Sequence, residues 1–268
     1  MADTKTSTGF LFSSAVLFIL VIWQCECTEI IGGREAIPHS RPYMVALYLN
    51  QEKFKTICGG VLIKPNWVLT AAHCNITEKT RIIVGVHSLS AQESQKQIIP
   101  MIGKFQPKDY SIKTFDYDVQ LLQLSKEAVL GTDVSVLPLP VKYKKLKPGT
   151  VCETAGWGTT TNHRNRISDK LMEVNVTILA RKTCAEKWKS ILNITRNMIC
   201  TSEQNEVKGT CAGDSGGPLI CNGFLRGLTS FGMPECAIPG DASVYGKLNR
   251  NVISWIKKMI TGVSSNVF

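Results

Sequence analysis

Hydrophobic residues recur in short runs about ten residues apart, and polar turns separate them. The clearest run, Leu171–Ala180, alternates through Met172, Val174, Val176 and Ile178, as a strand with one buried face does. Pro, Gly, Asn and Asp punctuate the chain between runs, which is typical of barrels and sandwiches rather than of βαβ units. The pattern therefore predicts an all-β fold. The other predicted strands are Tyr43–Leu49, Gly60–Ile63, Trp67–Thr70, Arg81–Gly85 and Leu225–Phe231.

Two segments have helical spacing instead. The first is a short piece over 181–189. The second is Asn251–Gly262, where one face carries a hydrophobic stripe and Lys257 and Lys258 lie on the other. This stripe predicts a face that docks against the strands, and a helix lying on a membrane surface is the alternative. The stripe consists of Val252, Trp255, Ile256, Met259 and Ile260.

The N-terminus has the pattern of a secretory signal peptide. The apolar stretch Gly9–Trp23 follows a polar head with Lys5 and precedes Cys25-Glu26-Cys27. It is shorter than the roughly 20 residues that a membrane span needs, so a membrane anchor is the weaker alternative. We predict a signal peptide over 1–27, an activation dipeptide over 28–29 and one domain over 30–268. In an oxidising compartment the remaining eight cysteines, an even number, can all pair.

Composition narrows the class of protein. The chain has 268 residues, of which 44% are hydrophobic and 19% charged, so it is not a disordered chain. Its formal charge is +10, and it rises to +12 from Ile30 onward because residues 1–29 hold three acidic residues and one basic residue. The basic run Lys142–Lys147 indicates a sulfated glycosaminoglycan as a partner, and a solvated loop is the alternative. No motif points to nucleic acid, to a metal or to an organic cofactor.

Three residue types point to acyl-transfer chemistry. Ser215 lies between glycines in Thr210–Leu219, where a tight loop exposes both its hydroxyl and nearby backbone N–H groups. His73 follows a strand-like run and precedes Cys74, so a disulfide could hold it rigidly as a base. Asp118 leads into an apolar run and is preferred to the competing Asp116 as the carboxylate that orients the base. The other histidines, which are His39, His87 and His163, are expected at the surface.

These motifs resemble the trypsin/chymotrypsin-like serine protease family. The resemblance rests on Ile30-Ile31-Gly32-Gly33, on Thr70–Cys74, on Gly213–Pro218 and on the order His, Asp, Ser along the chain. The segment Pro38–Met44 and the short Thr-Glu dipeptide before Ile30 are similar to granzymes of the A and K type.

The resemblance implies two six-stranded antiparallel β-barrels packed together, with a C-terminal α-helix and the site in the cleft between the barrels. It also implies that Ser215 is the nucleophile, His73 the general base and Asp118 its orienting partner. The N–H groups of Gly213 and Ser215 would bind the oxyanion during peptide hydrolysis. The implied disulfides are Cys58–Cys74, Cys152–Cys221, Cys184–Cys200 and Cys211–Cys236.

Activation follows from the same resemblance. The ammonium group of a newly cut N-terminus at Ile30 would pair with Asp214, since a buried unpaired carboxylate is costly. The residue before the cut is Glu29, which excludes a tryptic activator and fits a dipeptidyl peptidase. A chain that keeps Thr28-Glu29 is therefore expected to be nearly inactive.

The predicted substrate pocket departs from granzymes A and K. Tryptic relatives carry an aspartate six residues before the serine, where this chain has Gly209. A neutral pocket favours cleavage after Phe, Tyr, Leu or Met, because a buried Arg or Lys would lack an ion partner. A shifted alignment that brings Asp241 into the back wall would favour small or basic residues instead. The pocket residues are Gly209, Thr210, Ser230, Gly232 and Ser243.

Further expectations concern modification and partners. Sequons for N-glycosylation occur at Asn75, Asn175 and Asn193. We expect a monomer that is secreted or stored in secretory granules, acts on proteins or peptides and meets serpin-type inhibitors. The alternatives are a catalytically silent homologue that binds glycans or partners through its basic surface, and a digestive enzyme of broad specificity.

Overall fold

The computed structural model describes residues 31–49, 56–140, 145–160, 167–202, 208–233, 235–236 and 238–262. The predicted signal peptide and dipeptide, Ile30, His163 and residues 142–144 of the basic run Lys142–Lys147 lie outside the described residues. The helices are α1 Arg181–Trp188 and α2 Arg250–Ile260. The strands are β1 Arg34–Glu35, β2 Met44–Leu49, β3 Thr56–Lys64, β4 Trp67–Thr70, β5 Arg81–Val84, β6 Gln97–Ile98, β7 Met101–Phe105, β8 Gln120–Leu124, β9 Val151–Gly156, β10 Met172–Leu179, β11 Met198–Thr201, β12 Pro218–Cys221, β13 Phe224–Phe231 and β14 Ser243–Lys247.

Strands β9 to β14 close into a barrel. Their order is β10-β11-β14-β13-β12-β9, and β9 pairs back onto β10 over six residues, so each strand has two antiparallel neighbours. The two-residue strand β1 adds to the outside of this ring through Arg34 opposite Glu173. Val174, Leu219 and Tyr245 belong to the hydrophobic cluster inside it.

The N-terminal half forms the second sheet, in the order β6-β5-β2-β3-β4-β8-β7. The two end strands, β6 and β7, are consecutive pieces of one chain segment, and only Ile99 and Pro100 separate them. Proline has no N–H to donate to a ladder, so it interrupts the strand. Ile99 N still donates to Ile82 O on β5 at 3.0 Å. Counted as one strand, β6 and β7 give six strands, and the prediction of two six-stranded barrels with a C-terminal helix is confirmed.

The alternating pattern of Leu171–Ala180 is confirmed by burial along β10. Met172, Val174, Val176 and Ile178 are all buried, while Asn175 between them is exposed. Glu173 departs from the alternation, since it is buried and ion-paired with Arg34 and Arg41. The prediction for β3 was less accurate, since the strand begins at Thr56 and not at Gly60. Glycines in the middle of that run weaken the sequence signal for a strand.

Helix α2 docks against the strands as predicted. It begins one residue earlier than expected and ends at Ile260, and the Oδ1 of Asn249 caps it by accepting a hydrogen bond from Val252 N at 3.0 Å. Val252 and Ile256 are buried in one cluster with Leu121 and Leu228, which joins the helix to both sheets. Among the described residues, no helix is both long and apolar enough to cross a membrane.

The structure contains the four disulfides that the resemblance implies: Cys58–Cys74, Cys152–Cys221, Cys184–Cys200 and Cys211–Cys236. The bridge between Cys58 and Cys74 ties β3 to the turn that follows β4. This turn carries His73, so the bridge fixes the position of a candidate site residue.

The expectation that His87 is a surface residue is wrong. Its side chain is 7% exposed, and its Nε2 lies 2.9 Å from Oε1 of Glu35. The carboxylate of Glu93 accepts the backbone N–H groups of His87 and Ser88, which fixes the backbone that carries the imidazole. The ring therefore helps to hold β1, which begins four residues after Ile30, against the N-terminal barrel.

Candidate active site

Pairing between β4 and β8 brings His73 and Asp118 together. The ladder ends with Thr70 opposite Gln120, so the residues just after β4 and just before β8 meet at one end of the barrel. Asp118 is fully buried and accepts hydrogen bonds from His73 N at 2.9 Å and from His73 Nδ1 at 2.7 Å. An ionised carboxylate can only accept, so Nδ1 is the donor of this pair, and in a neutral imidazole the lone pair is then on Nε2.

A third donor reaches Asp118 from the other barrel. The hydroxyl of Ser230 on β13 donates to Oδ2 of Asp118. Sequence analysis expected Ser230 only as a pocket wall and missed this contact, because no local pattern links residues 112 positions apart. Three donors satisfy the buried carboxylate and hold it in one orientation.

Asp116, the competing carboxylate, belongs to a different network. It accepts hydrogen bonds from Thr195 Oγ1 at 2.6 Å and from Asn197 Nδ2 at 3.0 Å. These partners lie just before and at the edge of β11 in the C-terminal barrel. The structure therefore brings Asp118, and not Asp116, to His73.

The loop that carries Ser215 packs on the turn that carries His73. Gly59 N donates to Ser215 O at 2.7 Å, and Cys74 Sγ lies 3.8 Å from the same oxygen. A Cβ at Gly216 would collide with Oγ1 of Thr70, so only glycine allows this approach. Ser215 is partly exposed, and its hydroxyl makes no hydrogen bond with another described residue. In free enzymes the hydrogen bond from nucleophile to base is often long.

The backbone around Ser215 leaves two N–H groups unused. Asp214 N donates to Cys211 O at 3.1 Å, and Gly216 N donates to Thr229 O at 2.8 Å. The N–H groups of Gly213 and Ser215 have no acceptor among the described residues. Two such donors beside a nucleophile can bind a developing oxyanion.

Asp214 is buried directly beside the candidate nucleophile. Its carboxylate accepts N–H groups from Gly158 and Cys211, each at 2.9 Å. Burial raises the pKa of Asp214 to about 6. Within the described part of the chain, no cationic group pairs with it. Two N–H bonds only partly offset the cost of removing a carboxylate from water.

The chain that follows Ile30 is docked close to the predicted pocket. Ile31 is buried, and its carbonyl accepts the N–H of Gly209 at 3.0 Å. Ile30 itself lies outside the described residues. The hydrogen bond between Gly209 and Ile31 nonetheless places Ile31, the next residue in the chain, at the loop that leads into Asp214 and Ser215.

The five predicted pocket residues line two adjoining cavities. Thr210, Ser230 and Gly232 line a cleft of about 160 Å³ that also contains Ser215. Gly209 and Ser243 line the neighbouring cavity, which shares Thr210 and Gly232 with the cleft and also contacts Asp241.

Gly209 has a φ of 152°, in the region that favours glycine. An aspartate in this backbone conformation would be strained.

A row of aromatic rings, which sequence analysis missed, extends from His73. The His73 and Phe115 rings are edge to face at 5.7 Å, and Phe231 lies 5.1 Å from Phe115. Trp188 completes the row at 5.0 Å from Phe231. Only the fold joins these residues, because they come from four separate parts of the sequence.

The three sequon asparagines are all exposed. Asn75 follows directly after the Cys58–Cys74 bridge, Asn175 lies in β10, and Asn193 lies after α1. Each can therefore be reached from solvent, including Asn175 on the outer face of its strand.

Comparison with known proteins identifies the family. The family model described as Trypsin matches residues 30–256. The chain is 38% identical to granzyme A of Bos taurus, over 94% of this chain and 97% of that protein. It is 36% identical to mast cell protease 3 of Ovis aries, over 91% and 95%, and 38% identical to granzyme B(G,H) of Mus musculus, over 86% and 90%. With this match, and with the two barrels already described, the chain belongs to the trypsin family of serine proteases.

Proposed function

We propose that the protein is a secreted serine endopeptidase that cleaves peptide bonds by a His73-Asp118-Ser215 triad. The observation that carries the proposal is the pair of hydrogen bonds from His73 to the buried Asp118, next to the loop of Ser215. The relatives named as granzymes and mast cell proteases support a protease that acts on proteins or peptides.

The mechanism follows from the positions of these groups. Ser215 Oγ attacks the carbonyl carbon of the scissile bond while its proton passes to Nε2 of His73. The N–H groups of Gly213 and Ser215 stabilise the oxyanion. The tetrahedral intermediate then breaks the C–N bond, His73 returns the proton to the leaving amine, and an acyl-enzyme remains. Water repeats the sequence with His73 as base, and the acid product leaves with Ser215 regenerated.

Asp118 determines which nitrogen of His73 acts as the base. Its carboxylate holds the proton on Nδ1, so the lone pair of Nε2 is the one left to take the proton of the nucleophile. It also stabilises the imidazolium that forms during attack. Ser230 and the backbone of His73 keep the carboxylate oriented for both tasks.

The substrate preference that we propose is non-tryptic. Gly209 provides no carboxylate, and its φ of 152° disfavours one at that position. A long cation in the cleft would lose hydration without gaining an ion partner, whereas Phe, Tyr, Leu or Met would not. Asp241, one of the acidic residues that line the neighbouring cavity, supports the alternative of a basic preference.

We also propose activation by removal of Thr28-Glu29. The buried Asp214 needs a cation, and Ile31 is docked next to the pocket loop, so the ammonium group of Ile30 is within the same neighbourhood. A dipeptidyl peptidase suits this cut. Storage in secretory granules and binding to a sulfated glycosaminoglycan are part of the same proposal. The similarity to granzyme A supports the first, and the formal charge of +10 supports the second.

The experiment is to profile chain 30–268 on a peptide library, with Ser215→Ala as the control. Removing the serine is expected to lower turnover by about 10⁶-fold. Cleavage after Phe, Tyr, Leu or Met would support the neutral pocket. Cleavage after Arg or Lys would assign the missing charge to Asp241. Equal and negligible activity of both proteins would instead favour a catalytically silent homologue that binds through its basic surface.

A further inference from the structure

Two glutamines hold the turn that carries His73. Gln120 on β8 is fully buried, and its Nε2 donates to Ala71 O at 2.7 Å and to Cys74 O at 3.1 Å. Its Oε1 accepts from Gln106 Nε2 at 3.1 Å, and the same nitrogen of Gln106 donates to Ala72 O at 3.2 Å. Every hydrogen-bonding atom of the Gln120 side chain thus has a partner, and the carbonyls on both sides of His73 are bound.

Gln120 lies two positions after Asp118, and both residues contact the same turn. Asp118 accepts from the backbone N–H and the ring of His73, whereas Gln120 donates to carbonyls before and after it. The start of β8 therefore binds the turn in two ways, with Asp118 as acceptor and Gln120 as donor. Neither the ring nor the backbone of His73 can shift without breaking one of these bonds.

A buried amide is costly unless its hydrogen bonds are complete, and an apolar side chain could fill the same space in a strand of leucines. We propose that Gln120, supported by Gln106, is a positioning residue that holds His73 at the geometry needed for proton transfer from Ser215. This inference rests on the proposed function. The turn keeps other bonds, such as Ile76 N to Cys74 O at 2.7 Å, so losing the amide loosens it without unfolding it.

The first test compares Gln120→Met with Gln123→Met. Gln123 lies on the same strand but makes none of these contacts, so it is the matched control. For a peptide amide substrate, Gln120→Met is expected to lower kcat about tenfold with an unchanged KM, because small misplacements of a catalytic group have large effects on rate. Gln123→Met is expected to leave both constants unchanged. Melting temperatures of both variants separate loosening of the turn from loss of stability.

The second test reads the positioning directly. Proton NMR of the His73 Nδ1–H that donates to Asp118 should show a sharp signal in the wild type and in Gln123→Met. In Gln120→Met the signal should broaden, because a looser turn exposes the proton to exchange with water. The measurement is made on the Ser215→Ala background as well. It therefore tests the positioning of His73 even if the wild type cleaves no peptide and the proposed function fails.

Gln106→Met is a second variant that we expect to fold normally, because Gln106 is exposed. It should lower kcat less than Gln120→Met, and the double variant should be no worse than Gln120→Met alone, since the two amides act through one network. The proposal is overturned if Gln120→Met matches Gln123→Met in kcat and in the NMR signal. Should Gln120→Met not fold, an unchanged kcat and an unchanged signal in Gln106→Met overturn it.

Discussion

The carboxylate of Asp118 accepts two hydrogen bonds from the single residue His73, one from its backbone N–H and one from Nδ1 of its ring. This double contact fixes both the backbone position of His73 and the orientation of its ring. The side chain of His73 is 18% exposed while that of Asp118 is completely buried, so part of the ring stays accessible to solvent although its Nδ1 is bound to a buried carboxylate.

Asp118→Asn should lower kcat by about 10⁴-fold at neutral pH. An amide can present an N–H to Nδ1, which moves the proton of His73 to Nε2 and leaves no base facing Ser215. Asp116→Asn is the matched control, because Asp116 binds Thr195 and Asn197 instead. Steady-state kinetics on one peptide substrate measure both variants. A comparable loss in Asp116→Asn would contradict the assignment of Asp118.

Asp214 makes the stability of the uncut chain depend on pH. Its pKa is about 6 in the folded chain, above the usual 3.8 of an aspartate, so folding favours the protonated form. The associated stability is complete below about pH 4 and is lost as the pH rises through 6. The loss corresponds to about 3 kcal/mol, from 1.36 kcal/mol for each pKa unit.

Thermal unfolding between pH 4 and 8 tests this dependence. The chain that keeps Thr28-Glu29 should become less stable across pH 4 to 6, and chain 30–268 should do so much less, because its terminal ammonium group stabilises the ionised Asp214. Asp214→Asn in the uncut chain should remove that part of the dependence. Parallel pH curves for the cut and uncut chains would argue against pairing between Ile30 and Asp214.

Ser243→Asp should convert the substrate preference to Arg and Lys. Ser243 begins β14 and lines the cavity that adjoins the cleft of Ser215, so a carboxylate there can pair with a long cationic side chain. Ser243→Asn has nearly the same shape without the charge and should keep the apolar preference. Peptide-library profiling reads both variants. A basic preference in the asparagine variant would show that shape, and not charge, sets specificity.

A glycan on Asn75 should slow reactions with folded proteins but not with short peptides. Asn75 is exposed and directly follows Cys74, whose Sγ lies 3.8 Å from Ser215 O. The described residues that line the cleft come from 210–236 and do not include Asn75, so a glycan there can obstruct a folded partner without filling the cleft.

The sequon offers a matched pair of variants. Thr77→Ala removes the glycan, whereas Thr77→Ser keeps it and preserves the hydroxyl that accepts Lys79 N. We expect Thr77→Ala to react faster with a macromolecular serpin-type inhibitor and to hydrolyse a tripeptide amide at the rate of Thr77→Ser. Identical inhibition rates for the two variants, with glycan occupancy checked by mass, would refute the prediction.

The strands and helices could be predicted from the sequence wherever burial is one-sided. β10 alternates because one of its faces lines a barrel, and α2 has a stripe because one of its faces docks. The short strands β1 and β6 could not be predicted, because two residues show no period. The continuity of β6 and β7 could not be predicted for a different reason. Pro100 interrupts the hydrogen-bond ladder, although the chain continues in the same direction.

The candidate site was predicted where chemistry and local sequence coincide, as at Ser215 and His73. The residues that support this site, Ser230 and Gln120, could not be predicted as such. Ser230 meets Asp118 only because the two barrels pack together, and Gln120 looks like an ordinary polar position in a strand. Contacts of this kind depend on which elements become neighbours, and neither hydrophobic period nor motif spacing carries that information.

Asp118 is bound by His73 from one barrel and by Ser230 from the other. The site therefore needs residues from both halves of the chain, and the ribosome makes these halves at different times. A ribosome-bound chain with only its first barrel complete has the base and the carboxylate but neither Ser230 nor Ser215. If the proposed triad is the active site, unfinished copies cannot hydrolyse peptides, and this protection does not depend on the proposed removal of Thr28-Glu29.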